Sequence, residues 1–208
     1  MQDQYRINDE QQLEAVIGEP MEFVRAKVVS ELDQPMSEFI GRAPLVIVST
    51  IDELGHVDVS PKGDPPGFVL TEGGRTLLIP ERPGNRLTFG FRNILRNGEI
   101  GLIFFVPHQR ETLRVKGRAS LHRDPEMLEN MSVGGKPALM YTRVEISECF
   151  FHCGKAVIRS KLWQPDAWSH LEESLGARSF AESLGGGGDN ALKETEALME
   201  ESYRDELY

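Results

Sequence analysis

Apolar positions recur along the chain at two different periods, and the change of period marks its organisation. In the first 42 residues the spacing is helical. Leu13, Val16 and Ile17 share one face of a helix predicted over 8–17, capped by Asn8 or Asp9. A second helix is predicted over 21–32, bearing Phe23, Val24, Val28, Val29 and Leu32, and a helical turn over 35–41 leads into Ala43-Pro44. From residue 45 the period is that of strands. "LVIVSTI" (45–51) is continuous and β-branched, which marks a buried strand, and "HVDVS" (56–60) is its hairpin partner across the turn "DELG". "GFVL" (67–70) and "TLLIP" (76–80) are short strands around "TEGGR". "IGLIFFVP" (100–107), "TLRVKGRASLH" (112–122) and "ALMYTRVEIS" (138–147) complete the set. In the middle one, Leu113, Val115 and Gly117 oppose Arg114, Lys116 and Arg118.

Helices are predicted between these strands over 85–96, ending at Asn97-Gly98, and from Asp124-Pro125 to 131. "ECFFHCGKAVIRSKLW" (148–163) reads as helix, and two weaker helices follow near 166–176 and 190–206, with "GGGG" (185–188) as a hinge between them. "SPKGDPPGF" (60–68) reads as a rigid loop. A doubly wound parallel sheet needs a helix after nearly every strand, and these connections are too short. Six or seven short strands with tight turns predict instead a mainly β fold with flanking helices (α+β), a small antiparallel barrel. The chain divides into a helical segment (1–42), the barrel domain (43–168) and an acidic, partly helical tail (169–208).

Composition narrows the setting. With 39% hydrophobic residues the chain can bury a core. No apolar run approaches the ~20 residues of a membrane span. The N-terminus has neither a basic region nor an apolar stretch of signal-peptide type, so the expected compartment is the cytoplasm. The two cysteines are too few for a disulfide framework.

Charge changes the picture more. The net charge is −10, which argues against general nucleic-acid binding. Residues 60–118, however, hold 10 Lys/Arg against 5 Asp/Glu, whereas residues 1–59 hold 4 against 12 and residues 165–208 hold 3 against 11. A basic centre between acidic ends is either a local anion site, such as one for phosphate, or a set of separate solvated faces. Two segments within it suit an anion. "SPKGD" offers Ser60, Lys62 and the Gly63 amide. "PERPGNR" offers Arg82, the Gly84 amide, Asn85 and Arg86 where a helix is predicted to begin. Neither a G-x-G-x-x-G after a strand nor a G-x-x-x-x-G-K-[ST] is present, so the phosphate would not be held in a Rossmann or P-loop manner.

Cys149, His152 and Cys153 lack the further ligands of a structural zinc site, so no metal is expected. As helical neighbours, the two cysteines would pack as buried small hydrophobes. His56, His108, His122 and His170 are scattered and compose no triad. In "RSKLWQPDAW", Ser160 and Lys161 precede Trp163, which either covers a flat ligand ring or anchors the tail to the barrel.

The ordered series "VSTIDELGHVDVSPKGDPPGFV", "LLIPERPGNRL", "NILRNGEIGLIFFVP", "ETLRVKGRASLHRD" and "FHCGKAVIRSKLW" resembles the pyridoxamine 5′-phosphate oxidase-like, FMN-binding split-barrel superfamily. It is closest to an uncharacterised bacterial branch carrying those SPKGD, PERPGNR and FHCGKA-x-x-RS-x-LW motifs. The resemblance implies a six-stranded antiparallel split barrel and a homodimer with FMN at its interface. It implies that Arg82, Asn85 and Arg86 grip the FMN phosphate together with Ser60 and Lys62, while Ser160, Lys161 and Trp163 approach from the partner subunit. The implied activity is FMN-dependent oxidation or reduction of a small molecule. The alternative is a module that holds flavin or haem without turnover. The chain lacks the C-terminal R-L-H-type signature of the true oxidases and ends in "ESYRDELY", so vitamin B6 oxidation itself is not expected.

Overall fold

The computed structural model describes residues 5–169, 174–186 and 188–208. Its centre is one antiparallel sheet of seven strands in the order β2-β1-β5-β6-β7-β4-β3. The strands are β1 (Leu45–Ile51), β2 (Val57–Gly63), β3 (Leu70–Glu72), β4 (Thr76–Glu81), β5 (Glu99–Phe105), β6 (Thr112–His122) and β7 (Met140–His152). This is the expected class, with seven strands rather than six.

Alternation explains the core. On β1, Val46, Val48 and Thr50 point inward, and on β5 so do Ile100, Leu102 and Phe104. Leu113 and Val115 of β6, Val144 of β7 and Leu77 and Ile79 of β4 meet them in one cluster. β4 is buried along its whole length because its other face is covered too. There Leu78 packs with Leu128, Met131, Ala138 and Tyr141. Helix α3 (Gln34–Arg42) closes one end of the main cluster with Met36 and Ile40. Its start is set by Asp33, whose carboxylate accepts from the Met36 amide at 2.8 Å. Burying each of these side chains contributes about 1.5–3 kcal/mol.

Several local expectations are corrected, among them the strand predicted over 67–70, which is β3 at Leu70–Glu72. "SPKG" is not loop but the second half of β2, which runs to Gly63. Pro61 is tolerated because β2 is an edge strand with no ladder on its outer side. Residues 148–152 are strand, not helix. β6 is 11 residues long and pairs along its full length with β7, from Thr112↔His152 to His122↔Tyr141. Only after Gly154 does the short helix α6 (Lys155–Ser160) begin. The helix predicted over 21–32 stops early, as α2 (Glu22–Ala26), because Val29 makes a β-bridge to Cys149 with N···O distances of 3.1 and 2.7 Å. The helix predicted from 85 starts at Phe89.

The long β6–β7 ladder contains one bulge. Its register shifts between Lys116 and Gly117, leaving Ser147 as the extra residue. A Cβ on Gly117 would stand 2.1 Å from the Glu145 carbonyl oxygen, so only glycine fits. Helix α1 (Glu10–Ile17) buries none of its residues. Helix α5 (Pro125–Asn130) covers β4 with Leu128. In the tail, α7 (Leu175–Ser183) and α8 (Asp189–Asp205) pack on each other and bury Ala177, Ala181 and Thr195. Of the helix predicted near 166–176, the start is a 3-10 turn, Pro165–Ala167, the end belongs to α7, and residues 170–173 lie outside the described residues. His170 and Gly187 lie outside the described residues. No helix among the described residues is long and apolar enough to cross a membrane.

The outer face of β2, β1 and β5 is also apolar. Val57 and Val59 are 64% and 60% exposed. Beside them on the same face run Ile51, Ile47, Ile103 and Phe105, all only partly covered.

Candidate functional site

The sheet curls until β2 approaches β4, but these two strands are not ladder neighbours. Side chains join them. Lys62 Nζ donates to Glu81 Oε2 at 2.6 Å, and Arg82 Nε donates to Asp64 Oδ2 at 2.8 Å. Two ion pairs in succession thus clasp the end of β2 to the end of β4.

Beside this clasp opens a cavity of about 350 Å³, within the usual range for a small-molecule site. Helix α4 (Phe89–Arg96) and the segment before it form its lid, contributing Asn85, Leu87, Thr88, Phe89, Gly90, Phe91 and Ile94. Its floor is apolar: Val48, Ile79 and Ile100. Its wall is polar because the inward rows of several strands end in polar residues. On β2 these are Asp58, Ser60 and Lys62, on β4 Glu81, on β1 Thr50 and on β7 Thr142. Glu81 is 3% exposed and continues the inward row of Leu77 and Ile79. Its second oxygen accepts from the Thr142 hydroxyl at 2.7 Å. Burial pushes the Glu81 carboxyl above its usual range, with Lys62 and Thr142 opposing. The Lys62 ammonium also lies 4.5 Å from the centre of the Phe91 ring. Asn93 of α4 reaches the Thr50 hydroxyl at 3.1 Å and holds the lid to β1.

The loop between β4 and α4 differs from the expected helix start. Arg86 and Thr88 both take left-handed backbone conformations, with φ of 60° and 57°, which a helix cannot continue through. Asn85 stabilises this turn by accepting from the Leu87 amide at 3.1 Å. Arg86 therefore lies on an exposed loop and not in the first turn of α4, and it has no ion-pair or hydrogen-bond partner among the described residues.

Arg82 is differently employed. Its side chain is 12% exposed, bound to Asp64 (2%) and donating through Nη2 to the Met131 carbonyl at 2.7 Å. Tyr208 covers it from the tail, with its ring 5.8 Å from the guanidinium carbon and its main-chain oxygen accepting from Lys136 at 2.8 Å. Burial and the nearby Asp64 raise the Tyr208 phenol above its usual range. Gly63 ends β2 against Pro44, and Gly84 lies on the exposed loop. Ser60, Lys62 and Asn85 thus share the cavity, whereas Arg86, exposed between Asn85 and Leu87, and Arg82, bound to Asp64, do not line it.

Ser160, Lys161 and Trp163 lie elsewhere in the chain. Lys161 and Trp163 line a second cavity, of about 310 Å³, with His108, Arg110, Val157, Ile158 and Gln164. Trp163 donates its indole N–H to the Gln109 carbonyl at 2.6 Å, so it anchors its segment to the loop after β5. The Ser160 hydroxyl turns back to the Val157 carbonyl at 3.2 Å. The two cavities share no lining residue. Of the cysteines, Cys149 faces the core, and burial, then Asp33 and Glu148, raise its thiol above the usual range. Cys153 is exposed, contrary to the shared buried face expected of a helix.

Sequence reasoning missed Glu81, Thr142 and Phe91. A signal for Glu81 was present: it stands two residues after Ile79 and four after Leu77 on one strand, so the period of two already placed it on their face.

A family model described as pyridoxamine 5′-phosphate oxidase matches residues 32–153, more than half of the chain. None of the curated proteins matches the chain. Among solved structures, Group A Streptococcus HupZ is similar at 19% identity and a TM-score of 0.47, covering 58% of this chain and 93% of that one. An FMN-binding protein from Syntrophomonas wolfei aligns at 13% identity and a TM-score of 0.44, over 67% and 95%. General Stress Protein 26 from Bacillus anthracis aligns at 11% and 0.43, over 55% and 88%.

Proposed function

The chain belongs to the pyridoxamine 5′-phosphate oxidase family, and on that premise we propose that its β2/β4/α4 cavity binds FMN in an oxidoreductase acting on a small molecule. The observation that carries this reading is the pairing of an apolar floor with a polar wall, beneath a loop whose Asn85 and Leu87 line the cavity and whose Arg86, between them, is exposed. A flavin phosphate has the dianionic oxygens that Arg86 and the Asn85 amide group suit. The Gly84 amide and the Ser60 hydroxyl add donors nearby. Phe89 and Phe91 offer aromatic surface to a flat ring, and Lys62 offers a cation on the wall beside it. FMN supplies hydride and electron transfer at its N5 position when bound. The protein's share is then to bind, orient and exclude water. Arg82 has no part in this proposal as a ligand, because it does not line the cavity and its Nε and Nη2 are held by Asp64 and the Met131 carbonyl.

A homodimer belongs to the same proposal. Val59 and Pro61 line the cavity rim, and β2 also carries the exposed apolar face that continues onto β1 and β5. An apolar face of that kind on an edge strand favours burial against another chain. A second copy could bring its Lys161–Trp163 cavity to the first copy's open site, uniting groups that a single chain keeps apart.

The test is the visible spectrum and an FMN titration, with light scattering on the same sample. The expected result is a dimer with a flavin band and saturable binding. A colourless monomer whose addition leaves FMN fluorescence unchanged refutes the reading. Bound FMN that neither NAD(P)H nor any small-molecule donor reduces would leave binding without turnover.

A further inference from the structure

Glu81 is a carboxylate in an unusual place for a site meant to hold an anion. It sits in the cavity wall, is 3% exposed, and its one cationic partner among the described residues is Lys62. The charged residues lining that cavity are Asp58, Lys62 and Glu81, and around Glu81 the surface is otherwise Ile79, Thr142 and the apolar floor. Thr142 on β7 gives it one neutral hydrogen bond. The next ion pair along the seam, Asp64–Arg82, is already neutral within itself.

The Lys62 ammonium has three donors, and Glu81 takes one at 2.6 Å. Its side chain is 23% exposed, against 4% for Glu81, so the lysine is the member of the pair that a ligand can reach. When an anionic or strongly accepting ligand group engages Lys62, two negative groups share one cation. Two like charges in one low-dielectric site cannot both stay ionised cheaply, and the drier one gives way.

We propose that Glu81 is the proton-accepting group of this cavity: it takes up a proton from solvent when a ligand's anionic or acceptor group engages Lys62. The balance is simple. A proton from water or buffer bonds to Glu81 Oε2, the carboxylate becomes a neutral acid, and the Lys62 N–H that it held turns to the ligand. No electrons move. The protonated acid then becomes a hydrogen-bond donor inside the cavity, which an ionised Glu81 cannot be. The burial of the carboxyl, which already favours its neutral form, is in keeping with this. The proposal rests on the reading of the cavity as the flavin site, and FMN is the probe.

The experiment is calorimetric titration of FMN into the full-length, flavin-free chain near neutral pH, in two buffers of different ionisation heat. The heats give the protons taken up per FMN. The phosphate of FMN ionises near this range and adds its own proton release, but it does so equally in every variant. The wild type is expected to take up more protons than Glu81→Gln, by up to about one per FMN. Lys62→Met is expected to lose the extra uptake as well, because Glu81 without its cation is neutral beforehand. Asp58→Asn, which removes the other acid on the wall, is expected to keep it. Equal proton counts in wild type and Glu81→Gln, or an uptake that disappears with Asp58 instead, overturn the proposal. A measurement on the wild type alone guards against variants that fail to fold. Infrared difference spectra should show a protonated carboxylic acid appearing on FMN addition, and its absence refutes the proposal. No heat and no spectral change with FMN in the wild type overturns the flavin reading, and this inference with it.

Discussion

Arg82 and Arg86 stand four residues apart in one motif, yet the fold gives them opposite environments, and exchanging each for a neutral residue should separate stability from binding. Arg82→Met removes the 2.8 Å bond to Asp64 and the 2.7 Å bond to the Met131 carbonyl. It leaves the Asp64 carboxylate, with a side chain only 2% exposed, without its cation. Stranding one member of a buried pair costs about 3–5 kcal/mol. For a chain of this size each kcal/mol lowers the melting temperature by about 2–4 °C, so the expected fall is roughly 6–20 °C. FMN affinity, measured well below that transition, should stay within about threefold of wild type, since Arg82 does not line the cavity. Arg86→Ala should do the reverse. The residue is exposed and unengaged, so the melting temperature should hold. The loss of a charge-assisted phosphate contact, about 1.5–3 kcal/mol, weakens FMN roughly 10- to 150-fold. Circular dichroism melts and fluorescence titrations read both. An Arg82→Met chain that melts like wild type but loses FMN as Arg86→Ala does would refute the assignment of Arg82 to Asp64. Pairing Arg82→Met with Asp64→Leu should recover much of the lost stability, because a buried pair replaced whole by apolar groups is often neutral.

Gly117→Ala forces a methyl to within 2.1 Å of the Glu145 carbonyl oxygen. The bulge must open, and a chemical denaturation curve should show a loss of about 3 kcal/mol or no folded protein. Iodoacetamide on the native protein followed by mass spectrometry should label Cys153 and spare Cys149, whose thiol is buried and held protonated. Equal labelling of both would contradict the strand assignment of 148–152. Glu81 gives a pH signature. Its folded value lies above the unfolded one, so its ionisation opposes folding at pH above the folded value, and that penalty is relieved as the pH falls towards the unfolded one. Lowering the pH from neutral towards the usual carboxylate value of 4.5 should therefore stabilise wild type relative to Glu81→Gln in denaturant melts.

The strands were legible wherever alternation or β-branching was strong. "LVIVSTI" is β1 with its first and last residues unchanged, and "TLRVKGRASLH" is β6 complete. Residues 148–152 were not legible as strand, because Cys-Phe-Phe-His suits either period. What decides them is the length of β6, which needs a partner as far as Thr112. The start of α4 was hidden for a related reason: Asn85-Arg86-Leu87 has the composition of a first helical turn, and only the left-handed Arg86 and Thr88 show otherwise. Among the site residues, Ser60, Lys62 and Asn85 were legible as a group, though through two segments that look like loops in sequence and prove to be a strand and a turn. Arg82 could not be told from Arg86 without knowing that Asp64 lies across the seam. That contact spans 18 residues and leaves no local trace.

The seam between β2 and β4 has a consequence for how such a protein can change. Backbone ladders fix every other junction in the sheet, and their spacing hardly varies with sequence. Here the two strands are joined by Lys62–Glu81 and Asp64–Arg82, whose reach depends on side-chain length. At the cavity wall the gap between β2 and β4 is therefore set by Lys62 and Glu81 rather than by the backbone. Shortening or lengthening one of them, Glu to Asp or Lys to Arg, would resize the opening while every strand pair keeps its register. A scaffold with one such adjustable joint can be refitted to ligands of different girth without being refolded.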